Sequence, residues 1–273
     1  MKNTIFVTGG SGLVGARLLP RLVADGLECR ALLRPGREAP PDVVPVQGDL
    51  LEPESYAGAL EGVSAVVHLA AQFRALDPAA TWQVNHLGMR ALIAAVQERA
   101  PAARVVMAST AQIYDADGVH PARESDPAAP THAYPASKLA AENDLKASGL
   151  NWSILRLCFV YGEGDGHLES VPPLFTQFQL HPASVLSLLH HRDVAQAVRL
   201  ALTGALDQRV VNILDEAPTT ALEMCRIVGA EMPPNHAPLA NPWGGRIDGA
   251  LARSLGFQPE VRTIQQAIQE GLL

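Results

Sequence analysis

The glycine-rich stretch at residues 9–15 limits the folds open to this chain more than any other feature of the sequence. A run of β-branched and aromatic residues ends there, and Gly9, Gly12 and Gly15 give the spacing G-x-x-G-x-x-G, while Gly10 with the last two gives G-x-G-x-x-G. Glycines at these positions allow a tight turn and let the backbone approach a pyrophosphate. The leucines and valines that follow have helical spacing, so the stretch predicts a strand, a phosphate-binding turn and a helix. A glycine turn that binds no ligand is the alternative.

The composition is that of a globular protein and argues against several kinds of partner. With 273 residues, 48% of them hydrophobic, the chain can bury the core of one large α/β domain with a small lobe. The net charge of −7 and the absence of a Lys/Arg cluster argue against nucleic acid or an anionic membrane as the main partner. Without a long apolar run or a signal-peptide core, we expect no membrane contact and a cytoplasmic location. Cys29, Cys158 and Cys225 predict buried thiols, and no metal site is indicated.

Strand-like runs alternate with helical patterns over the first 214 residues. Because strands joined by helices pair in parallel, this order predicts an α/β fold of the Rossmann type with a doubly wound, mainly parallel sheet. The seven expected strands are residues 4–8, 28–33, 43–47, 64–69, 104–109, 151–157 and 209–214. Beyond the helix after the glycines, helices are expected at residues 53–60, 81–99, 134–147, 193–202, 219–228, 248–255 and 263–272.

Glycines and prolines interrupt this pattern after Cys158, as in a loop-rich lobe over a sheet edge. We therefore expect a dinucleotide-binding domain at residues 1–157, to which residues 190–214 return. A small C-terminal substrate lobe would comprise residues 158–189 and 215–273.

Tyr134-Pro-Ala-Ser-Lys138 places a phenol and an ammonium on one face of a helix, with Pro135 in the first turn. A cation beside a phenol lowers its pKa from about 10 and so helps a tyrosine to act as a base near neutral pH. An ordinary surface tyrosine and lysine are the alternative.

A series of short motifs runs along the chain. They are Thr8-Gly-Gly-Ser-Gly-Leu-Val-Gly15, Gly48-Asp-Leu50, His68-Leu-Ala-Ala71, Val84-Asn85, Ser109-Thr110, Tyr134-Pro-Ala-Ser-Lys138 and Leu155-Arg156. In this order they resemble the extended short-chain dehydrogenases, and in particular the NAD(P)-dependent epimerase/dehydratase family. The resemblance covers nearly the whole chain. Later stretches, including Val160-Tyr-Gly162 and Arg192-Asp-Val-Ala195, also resemble the family.

The resemblance implies roles for three catalytic residues. Tyr134 would be the acid/base, Lys138 would bind the nicotinamide ribose, and Thr110 would bind the substrate oxygen. Ser109 is the alternative hydroxyl, but as a strand neighbour of Thr110 it should point to the opposite face.

The resemblance also implies a set of cofactor contacts. The glycine turn and the start of its helix would hold the phosphates, the residues after the third strand the adenine, and those after the fourth strand the middle of the cofactor. The residues are Gly9, Gly12, Leu13, Val14 and Gly15, then Asp49 and Leu50, then Leu69, Ala70 and Ala71, with Asn85 near the nicotinamide. Asp49 as a solvated turn residue and Asn85 as a buried hydrogen-bonding residue are the alternatives.

The end of the second strand bears on the choice of dinucleotide. An NAD site usually has Asp or Glu there for the ribose 2′-OH, whereas an NADP site has Arg for the 2′-phosphate. The sequence offers Arg34 and Arg37 and no carboxylate between Cys29 and Arg37. We expect an NAD(P) cofactor with NADP favoured through Arg34, the alternative being two solvated loop arginines.

Departures from the family pattern leave the substrate open. Ala111-Gln112 stands where the family's dehydratases have Asp-Glu, so dehydration is not expected. The resemblance implies hydride transfer on a sugar or nucleotide sugar by an oxidoreductase or epimerase. The alternatives are an NADPH-dependent carbonyl reductase and a non-catalytic dinucleotide sensor. Arg74, His190 and His191 are candidate substrate contacts, and a homodimer formed by helices 81–99 and 134–147 is implied.

Overall fold

The computed structural model describes residues 3–73, 77–114 and 117–273 and contains eleven strands in that part of the chain. Seven of them form one sheet in which every neighbouring pair is parallel, so the predicted doubly wound α/β fold is confirmed. The strands are β1 Thr4–Thr8, β2 Glu28–Leu33, β3 Val44–Gln47, β4 Ala65–His68, β5 Arg104–Thr110, β6 Asn151–Leu157, β7 Phe159–Tyr161, β8 Val185–Leu186, β9 Leu188–His190, β10 Arg209–Ile213 and β11 Thr219–Thr220.

The order of the large sheet is β3-β2-β1-β4-β5-β6-β10. The chain leaves β1 for β2 and β3 on one side and returns to β4 on the other side, so the strand order reverses between β1 and β4. In open parallel sheets, ligands bind outside the carboxyl ends of the strands at such a point. The glycine turn follows β1 directly, and Leu69 to Ala71 follow β4.

The α-helices of the described residues are shorter than the sequence predicts in the C-terminal part of the chain. They are α1 Gly15–Ala24, α2 Pro78–Trp82, α3 Gly88–Arg99, α4 Ala133–Ala147, α5 Pro172–Gln177, α6 His191–Leu202, α7 Ala221–Ile227, α8 Ala250–Ser254 and α9 Ile264–Gln269. None of the helices in this part of the chain is long and apolar enough to cross a membrane.

Two segments predicted as α-helices contain 3₁₀ or π-helical turns instead. The predicted helix at residues 53–60 consists of two 3₁₀ turns, Pro53–Ser55 and Ala57–Leu60, because Tyr56 between them leaves helical geometry and turns its ring into the core. The predicted helix at residues 81–99 begins earlier, where Asp77 caps α2, and a π-helical turn at Gln83–Leu87 separates α2 from α3. Such turns move one side chain out of the α-helical register.

Three clusters of buried apolar side chains fill the part of the molecule that the structure describes. One covers the face of the large sheet under α1 and α6, and a second covers the opposite face under α3 and α4. The third lies apart from the large sheet, around Tyr161, Phe175 and Met224. The parallel pair β7–β9 and the antiparallel pair β8–β11 accompany this third cluster. The cysteines Cys29, Cys158 and Cys225 are buried and unpaired.

Candidate active site

A cleft of about 1890 Å³ runs along the carboxyl ends of the large sheet. Its lining begins at the glycine turn, passes Tyr134 and Lys138, and reaches α5 and the loop before α8. Single-ligand pockets usually enclose about 300–1,000 Å³. The cleft therefore has room for two molecules side by side.

The glycine turn forms a cradle of bare backbone at one end of the cleft. Gly9 has a φ of +74°, and a Cβ built on it would lie 2.6 Å from the backbone nitrogen of Ala70. A Cβ on Gly15 would meet the carbonyl oxygen of Gly9 within 3 Å. Leu13 and Val14 line the cleft where α1 begins. This turn tolerates no side chain at Gly9 or Gly15 and offers a helix N-terminus to a phosphate.

The predicted adenine contacts lie next to this cradle. Asp49 and Leu50 follow β3 and line the cleft, as do Leu69, Ala70 and Ala71 after β4. The Asp49 carboxylate accepts a hydrogen bond from the backbone N–H of Leu51 at 2.9 Å, so it is held in its own turn.

Two exposed arginines, Arg34 and Arg37, follow β2 and line the cleft. The N–H of Arg37 donates to the carbonyl of Arg34 at 3.0 Å, and Gly36 between them has a φ of +79°. This turn places both side chains on the cleft lining. Within the described residues neither guanidinium has a carboxylate partner, so both are available to an anion.

Tyr134 and Thr110 both line the cleft. Burial raises the pKa of Tyr134 to about 12, and the Thr110 hydroxyl acts on it in the opposite direction. The Thr110 oxygen accepts the N–H of Gln112 at 3.1 Å, which leaves its own hydrogen to donate. The ring of Phe73 lies edge-on to Tyr134 at 4.7 Å.

Lys138, one helical turn after Tyr134, is 1% exposed and lines the cleft. Burial lowers the pKa of its ammonium to about 8, and the charge of Glu142 partly opposes that shift. Among the residues that the structure describes, no acceptor bonds this ammonium. A buried cation without an acceptor is costly, and an acceptor brought by a ligand in the cleft would relieve that cost.

These residues fit a nicotinamide dinucleotide. The cradle admits a pyrophosphate, and the ammonium of Lys138 lacks the acceptor that a ribose hydroxyl would supply. The model of the NAD dependent epimerase/dehydratase family matches residues 5–213. The chain belongs to that family.

Individual relatives agree with the family match. A dTDP-6-deoxy-L-talose 4-dehydrogenase (NAD(P)(+)) of Kitasatospora kifunensis is 30% identical over 97% of this chain and 93% of its own. A 4-hydroxy-2-methyl-3-oxo-4-farnesyl-3,4-dihydroquinoline-1-oxide ketoreductase of Stigmatella aurantiaca is 36% identical over 59% of this chain and 51% of its own. The UDP-glucose 4-epimerase of Thermus thermophilus in complex with NAD superposes with a TM-score of 0.77 at 25% identity, over 97% and 98% of the two chains.

The protein is thus an enzyme of the NAD-dependent epimerase/dehydratase family that binds NAD(P). The structure also contains a buried ion pair on α4 and β6 that the sequence analysis missed. Arg156 donates to both oxygens of Glu142, at 3.1 and 2.8 Å. The guanidinium holds the pKa of Glu142 below its usual range. Ser109 donates to the same carboxylate at 2.5 Å, on the face of β5 opposite to Thr110.

Asn85 does not line the cleft of this family member. Its amide is fully buried in the π-helical turn, where it donates to Gln72 at 3.2 Å and to Ser137 at 3.0 Å. It also accepts the N–H of Gln72 at 2.7 Å. Asn85 thereby joins the loop after β4 to α4, which matches the buried hydrogen-bonding alternative.

His190 and His191 also lie away from the cleft, so the structure contradicts their interpretation as substrate contacts. His190 caps α6 and contacts the carbonyl of Leu272, and His191 pairs with Asp165 at 2.8 Å. Arg74 is outside the described residues. The histidines on the described cleft lining are His120, His132 and His167. The ring of His167 stacks on Phe159 at 4.3 Å. No periodicity singled out His167, because a loop holds it there.

Proposed function

We propose that this enzyme interconverts a secondary hydroxyl and a carbonyl by hydride transfer, with Tyr134 as the acid/base. The observation that carries the proposal is that the Tyr134 phenol, the Thr110 hydroxyl and the Lys138 ammonium lie on one cleft beside a dinucleotide cradle. A non-catalytic sensor would not need these three groups together.

Each side chain has a distinct task in this mechanism. The nicotinamide, when bound, supplies or accepts the hydride. Thr110 donates a hydrogen bond that orients the substrate oxygen, and Tyr134 gives that oxygen a proton in reduction or takes one in oxidation. Lys138, one helical turn further along α4, offers its buried ammonium to a ribose hydroxyl of the bound cofactor.

The protonated form of Tyr134 suits its role as the acid in a reduction. With burial raising its pKa to about 12, the phenol keeps its proton at pH 7 and can donate it to a carbonyl oxygen. We place oxidoreductase activity first, because one relative is named as a dehydrogenase and another as a ketoreductase. An epimerase, which must hold its cofactor through both half-reactions, is the second candidate, supported by the likeness to a UDP-glucose 4-epimerase.

We further propose that the cofactor is NADP(H) in preference to NAD(H). Arg34 and Arg37 are exposed on the cleft lining beyond β2, without a carboxylate partner in the described part of the chain. A guanidinium binds a phosphate through two parallel hydrogen bonds, which a 2′-hydroxyl cannot match.

Two substrate classes are supported for this reaction. The relative that matches almost the whole chain is named for a dTDP-sugar, which favours a sugar or nucleotide sugar. The relative that matches about half of the chain is named for a farnesyl-bearing ketone, which favours an apolar carbonyl compound. Both classes require the same hydride and proton transfer.

A cofactor-oxidation assay tests the proposal. Purified enzyme is mixed with NADPH or NADH and panels of keto-sugar nucleotides, ketones and aldehydes, and absorbance at the reduced nicotinamide is followed. We expect turnover that Tyr134→Phe abolishes while cofactor binding by calorimetry is retained. Cofactor binding without turnover on any panel member would instead indicate the sensor.

We also propose a homodimer through α3 and α4. Trp82 and Leu87 are 36% and 48% exposed, and Ala94 is exposed on the same helical segment. A small residue such as Ala94 permits close helix approach between subunits.

A further inference from the structure

The C-terminal side of the cleft is lined mainly by apolar side chains. We call six of them the apolar groove: Phe73, Val171, Leu174, Phe178, Trp243 and Ile247. Val171, Leu174 and Phe178 recur at helical spacing along and beside α5. Val171 is 3% exposed and belongs to the third apolar cluster, so this wall is anchored in a packed core.

The groove begins at the catalytic residues and ends in water. At its inner end the ring of Phe73 lies 4.7 Å from that of Tyr134. At its outer end Phe178 is 67% exposed and Trp243 is 42% exposed. Nearby, Val119 lines the same cleft with 77% of its surface exposed. Contiguous exposed apolar surface of this kind marks a binding site more often than a solvated face.

The charges beside the groove do not suit a nucleoside diphosphate. Among the described lining residues from 117 onwards, the lysines and arginines are Lys138, beside the catalytic end, and Arg246. The Nε of Arg246 already donates to the carbonyl of Pro242 at 3.0 Å. The histidines of this lining are His120, His132 and His167. Asp117 and Asp126 bring two carboxylates to the same lining. Diphosphates are usually held by several cationic or N–H donors, and carboxylates repel them.

We propose that the apolar groove binds the extended apolar chain or ring system of a ketone or secondary alcohol. This inference rests on the hydride-transfer function proposed above and selects the second of its two substrate classes. With the apolar body in the groove, the reacting carbon lies at Tyr134 and Thr110. In reduction, NADPH gives a hydride to that carbon and becomes NADP⁺, Tyr134 gives a proton to the oxygen, and solvent replaces the proton on Tyr134.

The test is a homologous series of methyl ketones, from 2-butanone to 2-undecanone, reduced with saturating NADPH. Burying one methylene is worth about a fourfold change in kcat/KM, so we expect that gain per carbon until the groove is filled. Phe178→Ser should reduce the gain per carbon. Ile268→Ser is the matched control, because Ile268 is 44% exposed on α9 and outside the cleft; it should keep the wild-type gain.

Two further measurements separate this inference from the proposed reaction. Calorimetry with n-alkanamides, which resemble the ketones but cannot be reduced, measures groove binding in the NADP-bound enzyme. If amide binding strengthens with chain length while no ketone or alcohol turns over, the result supports apolar binding in the groove and contradicts the proposed reaction. Turnover that does not depend on chain length contradicts apolar binding in the groove and agrees with the proposed reaction. Inhibition by micromolar UDP or dTDP that Arg246→Ala relieves also overturns the groove.

Discussion

Thr110 and Tyr134 line the same cleft, and the Thr110 hydroxyl lowers the pKa of the phenol against the effect of burial. Thr110 ends β5, and Ser109 just before it points to the other face of the sheet, where it bonds Glu142. Successive side chains of a strand alternate in direction. Two adjacent hydroxyls therefore serve different purposes, one toward the cleft and one toward a buried ion pair.

This division predicts different phenotypes for two matched variants. Thr110→Ala should lower kcat by roughly 10²-fold, as the loss of a hydrogen-bond donor to the reacting oxygen does in other enzymes. It should also cost about 1 kcal/mol of unfolding free energy, because Thr110 caps the turn at Ala111–Ile113. Ser109→Ala should keep activity but cost about 1–3 kcal/mol of unfolding free energy, because it removes a buried partner of Glu142. Steady-state kinetics and denaturant unfolding of both variants check this, and a greater loss of kcat in Ser109→Ala would show that the roles are reversed.

The second prediction concerns Tyr134 itself. Tyr134→Phe removes only the transferable proton, so turnover should fall by about 10²–10⁴-fold while NADP(H) binding is retained. Stopped-flow or steady-state assays measure the loss, and calorimetry measures the binding. Activity within a few-fold of the wild type would remove Tyr134 as the acid/base.

The third prediction concerns the choice of dinucleotide. Arg34→Ala should weaken NADP(H) binding by about tenfold, the loss expected for a charge-assisted hydrogen bond to a phosphate, and should leave NAD(H) binding unchanged. Arg30→Ala is a useful control, because Arg30 donates to the carbonyls of Ala59 and Glu61 and does not line the cleft. Wild-type protein that binds NAD as tightly as NADP in calorimetry would contradict the role given to Arg34.

The large sheet could be predicted because each strand carries a local signal. The strands at β2 and β6 have the predicted bounds, and alternation along β5 correctly separated Thr110 from Ser109. Parallel pairing followed from the alternation of strands and helices. Strands of a parallel sheet are buried on both faces, so they appear in the sequence as short apolar runs.

The features that sequence patterns missed depend on contacts between distant segments. The π-helical turn exists where Asn85 reaches Gln72 and Ser137, and helical periodicity carries no sign of it. The position of His191 is set by Asp165, 26 residues earlier. The sequence alone does not show whether such a histidine lines a cleft or pairs with a buried carboxylate, because its partner is distant in the chain.

The fourth prediction tests the homodimer. Ala94→Arg places a long cation on the exposed face of α3, where it would separate two packed helices, so light scattering should show a monomer. Val44→Arg is the control, since Val44 is 48% exposed on β3 away from the proposed interface. A wild-type protein that is monomeric at micromolar concentration would contradict the proposal before any variant is made.

The last prediction concerns Asp215, a buried carboxyl that pairs with no cation among the residues that the structure describes. Burial raises its pKa to about 8, and the neighbouring Asp193 adds to that shift. One of its oxygens lacks a hydrogen-bond partner in the described residues, while the other accepts the N–H of Ala217 at 3.3 Å. The folded state thus keeps a proton that the unfolded chain loses near pH 4, so stability from this group is present below that pH and is lost as pH rises through about 8.

Asp215→Asn imitates the protonated carboxyl and should remove this loss. Between pH 5 and pH 8, the wild type should lose unfolding free energy relative to the variant by up to about 1.4 kcal/mol per pH unit. Asp207→Asn provides the opposite sign: the hydrogen bonds from Arg104 hold the pKa of Asp207 below its usual value, so this variant should lose most stability above pH 4. Denaturant unfolding from about pH 2 to pH 8 measures both, because the contribution of Asp207 is lost as pH falls below about 4 and that of Asp215 is lost as pH rises above it. Parallel pH profiles for the wild type and Asp215→Asn would mean that Asp215 is ionised in the folded enzyme.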